Sequence, residues 1–172
     1  MTVTYDVDSG ILTLVDNASA DDVLSIEQTA GQSPVQLISD TEGLTNNTNG
    51  ACTVPVGGGL SCALVTSIAI DLGGGIDNLL TSPSVTVPIS AAGGSGGDSM
   101  FGGSNRDTLA GGPGNDALNG RGGIDSYFGE TGDDTIEARD GLPERIACGA
   151  GTDLARNDFT DIIAECERGV DA

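Results

Sequence analysis

The sequence predicts an all-β fold in which short parallel strands stack into a solenoid, and three observations support this. Residues 93–137 form five consecutive units of nine residues. Every unit carries Asp at its sixth place and an apolar or aromatic residue at its eighth place. Within residues 2–92, no segment shows a convincing helical period. Self-similarity at a fixed period is typical of solenoids, so we expect one structural unit per repeat.

Each unit predicts a turn followed by a short strand. The last three residues place one apolar side chain between two others, and a strand with that pattern points its middle residue inward. The first six residues must reverse the chain, and their glycines permit the positive φ of tight turns. Where Asn105 replaces a glycine, we expect the left-handed conformation that Asn tolerates. The predicted inward residues are Met100, Leu109, Leu118, Tyr127 and Ile136.

The repeated Asp residues predict two acidic columns. Two units close one coil, which places the Asp residues of alternate units about 4.8 Å apart. One edge then carries Asp98, Asp116 and Asp134, and the other carries Asp107 and Asp125. Two bare carboxylates about 5 Å apart repel by roughly 3 kcal/mol at an effective dielectric of about 20. The columns therefore call for cations, and hard oxygen ligands suit Ca²⁺ better than Mg²⁺.

Less regular units lie on both sides of the array. After the extra residue Ala138, a decayed unit spans residues 139–147 with Glu144 at the Asp place. The unit at 148–156 restores Asp153, and an isolated unit upstream is centred on Asp77. We expect the stacking to extend over these units, although the frame slips between them.

These units resemble the RTX, or haemolysin-type, calcium-binding nonapeptide GGxGxDxUx. The first and third units match it fully, and the others depart at Asn105, Arg121, Glu130 and Thr131. The resemblance covers residues 73–156 and implies a right-handed parallel β-roll with Ca²⁺ between successive turns of one edge. This β-roll is the predicted central domain, between an N-terminal region, residues 1–72, and a C-terminal cap, residues 157–172.

The resemblance also implies a ligand set of Asp carboxylates and backbone carbonyls. Sites that join Asp77 to Asp98, and Asp134 to Asp153, are implied less directly because of the frame slips. Together the sites would hold roughly four to seven Ca²⁺ ions. The implied ligands are Gly94, Gly96 and Asp98 with Gly111, Pro113 and Asp116; Gly112, Gly114 and Asp116 with Gly129, Thr131 and Asp134; and, on the other edge, Gly103, Asn105 and Asp107 with Gly120, Gly122 and Asp125.

The flanking regions predict further strands. In the N-terminal region, alternating apolar residues such as Val3, Tyr5 and Val7 indicate half-buried strands. This irregular β region either caps or continues the solenoid, or forms a separate small β-domain. The segment from Asn157 to Arg168 predicts a final strand or a short helix that closes the roll.

The four cysteines predict two disulfides. Cys148 and Cys166 lie one full coil apart, which places them one above the other within disulfide reach. Cys52 and Cys62 would face each other across a hairpin. Disulfides indicate an oxidising compartment, so we expect a secreted, extracellular or cell-surface protein. No signal peptide is visible after Met1, which suggests a mature form with an added methionine.

Composition excludes several classes of function. The chain has 26 acidic and 6 basic residues, no His, and a net charge of −20. Phosphate would repel such a chain, so we expect no nucleic-acid or anionic-membrane partner. Without His, a Ser-His-Asp triad or a His-ligated zinc site is impossible. We therefore expect no enzyme.

The favoured function is a secreted, calcium-binding structural protein. Ca²⁺ would drive folding outside the cell, and the solenoid ends would offer strand edges for end-to-end self-assembly. One alternative is an adhesin-type binding module with a small sticky patch at Phe101 and Phe128. Another is a non-catalytic C-terminal part of a larger secreted RTX protein.

Overall fold

Strands make up all the regular structure in the described part of a computed structural model of the protein. The structure describes residues 2–6, 11–16, 21–28, 35–39, 45–46, 52–53, 60–62, 64–166 and 168–171. Across those ranges it contains β-strands and no helix, which confirms the all-β prediction. No helix in these ranges is long and apolar enough to cross a membrane.

The strands form two sheets. The first contains β1 (Thr2–Asp6), β2 (Ile11–Val15), β5 (Thr45–Asn46), β8 (Ser67–Asp71), β10 (Ile89–Ala92), β12 (Thr108–Pro113), β14 (Ser126–Thr131), β16 (Arg145–Ala150) and β18 (Ile162–Ala164). The second contains β3 (Val23–Gln28), β4 (Val35–Ser39), β6 (Cys52–Thr53), β7 (Leu60–Cys62), β9 (Asn78–Thr81), β11 (Ser99–Phe101), β13 (Ala117–Asn119), β15 (Thr135–Glu137), β17 (Leu154–Asn157) and β19 (Arg168–Asp171).

The chain alternates between the two sheets, so each coil adds one strand to each. In the first sheet β2, β8, β10, β12, β14, β16 and β18 pair in parallel in that order. In the second sheet β3, β9, β11, β13, β15, β17 and β19 do the same. This is the predicted parallel solenoid. Its ladders extend beyond the repeat on both sides.

The N-terminal region combines two of the expected arrangements. Strands β2 and β3 continue the parallel ladders. By contrast, β1 pairs with β2, and β4 with β3, in antiparallel fashion. The region therefore both continues the solenoid and adds antiparallel strands beyond its first coil. The domain boundaries at residues 72 and 156 remain predictions.

The core is a thin double row of side chains, one row from each sheet. All five predicted inward residues are buried, from Met100 to Ile136. Each inward residue lies on its counterpart of the next coil, as Leu109 does on Tyr127 and Met100 on Leu118. Burying a side chain of this size contributes about 1.5–3 kcal/mol, so stacking of neighbouring coils stabilises every coil.

Two of the coils are longer than the repeat predicts. Successive stacked Asp residues are 21, 18, 18 and 19 positions apart along the chain, beginning with Asp77 and Asp98. The extra residues fall in the turns between β9 and β10 and between β15 and β16, where Ala138 is buried. The stack of Asp residues therefore survives both frame slips.

A disulfide between Cys148 and Cys166 closes the C-terminal end, as predicted, with a Cα–Cα distance of 5.0 Å. The segment that precedes Cys166 is strand β18 rather than a short helix. The backbone of Cys52 lies opposite that of Cys62 in the β6–β7 pair. The Cys52 side chain is outside the described residues, so the second pairing remains a prediction.

Candidate metal centre

The turns of the solenoid form two edges that differ in regularity. The regular edge contains the turns at residues 72–77, 93–98, 111–116, 129–134 and 148–153. All five have positive φ at their second and fourth places. The irregular edge contains the turns at residues 82–88, 102–107, 120–125, 138–144 and 158–161. Among these, residues 102–107 have no positive φ, whereas Arg121 and Gly123 do.

A continuous column of Asp residues runs along the regular edge. The backbone N–H of each Asp donates to Oδ1 of the Asp one coil later. The N···O distance is 2.8 Å from Asp98 to Asp116 and 2.9 Å from Asp116 to Asp134. The same bond joins Asp77 to Asp98 and Asp134 to Asp153, each at 2.9 Å. One oxygen of each carboxylate is thereby fixed by the backbone.

The second oxygen of these carboxylates is buried and has no hydrogen-bond partner. This holds for Oδ2 of Asp77, Asp98, Asp116 and Asp134. Leaving a buried acceptor unsatisfied is costly, and more so for a charged one. Desolvation by burial raises the pKa of Asp77 and of Asp116 to about 6. Burial likewise raises the pKa of Asp98 and Asp134. The column is thus a row of buried, hard oxygen donors whose chemistry suits a cation.

Glycine at the first place leaves room for the carboxylate. A Cβ at Gly111 would overlap Oδ2 of Asp116, and one at Gly93 would overlap Oδ2 of Asp98. The Asp side chain therefore folds back over the first residue of its own turn.

Glycine at the fourth place allows successive coils to approach closely. Gly96 has φ +129°, and a Cβ there would overlap the carbonyl oxygen of Gly75 one coil earlier. An L side chain is strained at that φ and has no space.

The carbonyl ligands predicted for the first two sites lie on the same edge as the Asp column, and those predicted for the third lie on the irregular edge. The Gly111 carbonyl accepts a hydrogen bond from Gly94 N–H at 3.1 Å, and the Pro113 carbonyl accepts one from Gly96 N–H at 2.8 Å. The Thr131 carbonyl accepts one from Gly114 N–H at 2.8 Å. A carbonyl oxygen has two lone pairs, so these bonds leave one for a cation. Carboxylate and carbonyl oxygens together are a donor set that fits Ca²⁺.

The Asp residues of the irregular edge are satisfied by the protein itself. Asp107 accepts from Ile89 N–H at 2.9 Å and from Gly103 N–H at 2.7 Å, one bond at each oxygen. Asp125 accepts from Asp107 N–H at 2.8 Å and from the Tyr127 hydroxyl at 3.5 Å. Burial still raises the pKa of Asp107, to about 7, and that of Asp125.

Two sequence expectations are wrong, one about a turn of the irregular edge and one about aromatic residues on the strands. Asn105 does not adopt a left-handed φ. Its side chain instead donates to the Thr86 carbonyl at 2.5 Å and accepts from Arg106 N–H at 2.8 Å, so it braces its turn against the preceding coil.

The second error concerns the proposed aromatic patch. Phe101 lies on β11 of one sheet and Phe128 on β14 of the other, so they form no common patch. The Arg121 guanidinium covers Phe101 at 5.1 Å from the ring centre.

The sequence analysis did not identify Asp22 as a member of the column. Asp22 is buried and its N–H donates to Oδ1 of Asp77 at 2.6 Å, so the column begins in the N-terminal region. The segment Asp22-Val23-Leu24 repeats the D-x-U spacing and was the available signal. Glu144, at the Asp place of the decayed unit, is also buried, and burial together with the nearby charges of Asp140 and Asp161 raises its pKa to about 9.

Comparison with known proteins agrees with the geometry of the turns. The family model for the RTX calcium-binding nonapeptide repeat matches residues 92–127 and 119–141. No characterised protein and no solved structure matches the chain significantly. The matched residues contain the central turns of both edges and the Asp residues that stack there. Residues 92–141 of the chain therefore carry RTX-type calcium-binding nonapeptide repeats.

Proposed function

We propose that the protein is a calcium-binding structural protein whose folding is driven by Ca²⁺ ions along the regular edge. The observation that carries the proposal is the row of buried Oδ2 atoms without hydrogen-bond partners at Asp77, Asp98, Asp116 and Asp134. A cation is the natural partner for such oxygens, because protons would occupy them only where the pH lies below their raised pKa values.

The implied ligands support a row of ions between successive coils. Asp98 and Asp116 with their neighbouring carbonyls would hold one ion, and Asp116 and Asp134 the next. When bound, Ca²⁺ supplies positive charge that offsets repulsion between stacked carboxylates. The unfolded chain, with a net charge of −20, cannot bring these oxygens together, so binding free energy becomes folding free energy.

The fold also supports a site of action outside the cell. The chain contains the Cys148–Cys166 disulfide. Disulfides persist in oxidising compartments and are rare in reducing ones. Millimolar Ca²⁺ fills weak sites, with dissociation constants of about 10⁻⁴–10⁻³ M, that are typical of extracellular modules. We therefore propose secretion, with the ions acting as the signal to fold after export.

A calcium titration tests this function. Wild type, Asp116→Asn and Asp133→Asn are followed by far-UV circular dichroism and size exclusion from metal-free buffer to millimolar CaCl₂. Asp133 is the matched control because it precedes Asp134 in the same edge, is exposed, and accepts its hydrogen bond from Thr152 N–H through an oxygen that Asn retains.

Wild type and Asp133→Asn are expected to gain β-signal cooperatively and to shrink. Asp116→Asn, which removes a carboxylate shared by two sites, is expected to need at least tenfold more Ca²⁺. Identical titrations for all three proteins would contradict a calcium role for the column. If wild type already has a β-rich spectrum and a compact radius in metal-free buffer, and Ca²⁺ changes neither, the chain folds without calcium.

End-to-end association is a second candidate function. Strand β18 is the outermost strand of its sheet, and its Ile162 is 64 % exposed, with Phe159 before it 82 % exposed. An uncovered strand edge with apolar side chains favours pairing with another copy. Light scattering in millimolar Ca²⁺ tests this: the mass should rise with protein concentration in wild type and stay monomeric in Ile162→Lys. A monomeric wild type at all concentrations removes the candidate.

A further inference from the structure

Three acidic side chains meet on the irregular edge near the C-terminal end of the described solenoid. Asp140 and Glu144 belong to the turn at residues 138–144, and Asp158 belongs to the turn one coil later. One carboxylate oxygen from each residue lies within 4.8 Å of the other two. The family match ends at residue 141, so this cluster lies at the margin of the recognised repeats.

Glu144 gives the cluster a buried and unsatisfied donor. Glu144 is 1 % exposed, and neither its Oε1 nor its Oε2 has a hydrogen-bond partner. Water does not reach these oxygens, and protein donors do not replace it. A buried carboxylate in this situation requires an explanation, and a bound ion provides one. The acidic neighbours of Glu144 make a cation the fitting partner.

The other two carboxylates are held in place by the backbone. Asp140 Oδ1 accepts from Leu142 N–H at 2.8 Å, and its Oδ2 accepts from Gly123 N–H at 3.2 Å. Asp158 Oδ2 accepts from Gly141 N–H at 2.6 Å. These bonds span three turns of the irregular edge and orient both side chains before any ligand arrives.

We propose that Asp140, Glu144 and Asp158 form a Ca²⁺ site that is separate from the glycine-carbonyl sites of the repeat. All donors are carboxylate oxygens, which select a hard cation. Ca²⁺ binds oxygens at about 2.3–2.6 Å, so two ligands of one ion lie no more than about 5 Å apart, and the three oxygens, all within 4.8 Å of one another, meet that limit. Mg²⁺ is a poorer fit, because it demands near-ideal octahedral geometry and loses its waters reluctantly.

The exposed position of Asp140 allows water to complete the coordination. Glu144 can offer two oxygens, and the two Asp residues at least one each. Ca²⁺ takes about six to eight ligands, so two or more waters would enter from the open side. The site therefore combines a buried glutamate at its base with a solvent-facing aspartate at its mouth.

An ion here would tie down the last coil. Glu144 precedes β16, its carbonyl accepts from Ile162 N–H of β18 at 2.9 Å, and Asp158 lies in the turn that leads into β18. The Cys148–Cys166 disulfide joins the same two coils. The site would thus be a second, reversible link at the end that the disulfide closes covalently. It uses no residue of the regular edge and does not depend on the function proposed for that edge.

Counting bound ions in the full-length protein tests the proposal. Wild type, Glu144→Gln, Glu27→Gln and Asp116→Asn are dialysed against millimolar CaCl₂, and bound calcium is measured by elemental and native mass spectrometry. Glu27 is the matched control because it is an exposed glutamate on β3, far along the chain from the cluster. Glu144→Gln is expected to bind one ion fewer than wild type, whereas Glu27→Gln binds the full number.

Hydrogen exchange gives a second readout. Above the Ca²⁺ concentration that folds each protein, exchange of the β18 amides is expected to be slower in wild type than in Glu144→Gln. An unchanged ion count in Glu144→Gln overturns the proposal. Failure of the regular edge is distinguishable, because Asp116→Asn would then keep the wild-type count while Glu144→Gln still loses one ion.

Circular dichroism of the variants shows whether each is folded. If Glu144→Gln does not fold, amide NMR of wild type decides instead. The chemical shifts of the Gly141 and Asp158 amides should change when calcium is added. Unchanged chemical shifts at saturating Ca²⁺ would overturn the proposed site.

Discussion

The two edges of the solenoid use the same Asp position in different ways. On the regular edge every turn has positive φ at its second and fourth places, and one oxygen of each carboxylate from Asp77 to Asp134 has no hydrogen-bond partner. On the irregular edge the turns differ, and Asp107 and Asp125 receive their second bond from Gly103 N–H and the Tyr127 hydroxyl. Where the protein supplies these donors the turn has freedom to vary, and where it supplies none the turn is uniform.

Replacing a glycine by alanine should give the largest difference in stability between the two edges. Gly96→Ala on the regular edge would force a Cβ into the Gly75 carbonyl at φ +129°, and we expect a loss of about 3 kcal/mol or more. Gly122→Ala on the irregular edge meets only Asp140 Oδ2 at 4.0 Å, and we expect a change within about 0.5 kcal/mol.

Urea unfolding in saturating Ca²⁺ measures both variants. Equal losses would mean that the two edges are equally constrained, which would break the comparison. A loss confined to Gly96→Ala would sharpen it, because both substitutions add the same methyl group.

The metal-free protein should become more stable on acidification. Burial raises the folded pKa of Asp77 and Asp116 to about 6 and that of Asp107 to about 7, above the ordinary value of 3.8. The folded state then binds more protons than the unfolded state, so this stabilisation is complete below about pH 4 and is lost as pH rises to about 7. The loss of stability between about pH 6 and 7 comes from Asp107 on the irregular edge.

Melting temperatures of protein stripped of metal on a chelating resin, recorded from pH 4.5 to 8, check this sign. We expect the melting temperature to fall over that range, and saturating Ca²⁺ to remove or reverse the trend. Asp107→Asn should flatten only the upper end of the metal-free profile. A melting temperature that rises with pH in metal-free buffer would refute the electrostatic account of both columns.

Amide substitution should act in opposite directions on the two edges without metal. Asp116→Asn removes a charge repelled by Asp134 and Asp98 while Oδ1 still accepts from Asp98 N–H, so we expect a gain of about 1 kcal/mol. Asp107→Asn turns an acceptor of Gly103 N–H into a donor, so we expect a loss of about 1 kcal/mol.

Chemical denaturation in metal-free buffer at pH 7.5, with the same concentration of sucrose added to wild type and variants to populate the folded state, measures both free energies of unfolding. Asp133→Asn is the charge control and should change little. Losses of similar size at Asp116 and Asp107 would show that Oδ2 of Asp116 has a partner after all.

The period predicted much of this architecture. The alternation of strands, the inward residues and the assignment of Asp98 and Asp107 to different edges all follow from nine-residue units that occupy the two sheets in turn. Because odd-numbered and even-numbered units lie in different sheets, Phe101 of the first unit and Phe128 of the fourth lie on different sheets. The nine-residue repeat therefore already argued against a common aromatic patch.

The irregular edge could not be predicted in the same way. The conformation of Asn105 depends on the longer turn at residues 82–88, where Val85 is buried and its carbonyl accepts from Ser104 N–H. The acidic cluster depends on which second-place residues, Asp140 and Asp158, stack after a coil of non-standard length. Such contacts arise from tertiary structure and leave no periodic signal.

The smallest expected effect tests the protein's own donor on the irregular edge. The Tyr127 hydroxyl accepts from Gly120 N–H at 3.0 Å and donates to Asp125 Oδ2 at 3.5 Å, while its ring occupies the core. Tyr127→Phe keeps the ring and removes both bonds, so the metal-free protein should lose about 1 kcal/mol.

The same variant should gain affinity for calcium at the irregular edge. Once the hydroxyl is gone, Asp125 resembles the carboxylates of the regular edge, with one oxygen left without a donor. A calcium titration of Tyr127→Phe beside wild type should therefore show a smaller stability difference in saturating Ca²⁺ than in metal-free buffer. A difference that stays constant would mean that hydroxyl and cation do not compete for Asp125, and that the edges differ for another reason.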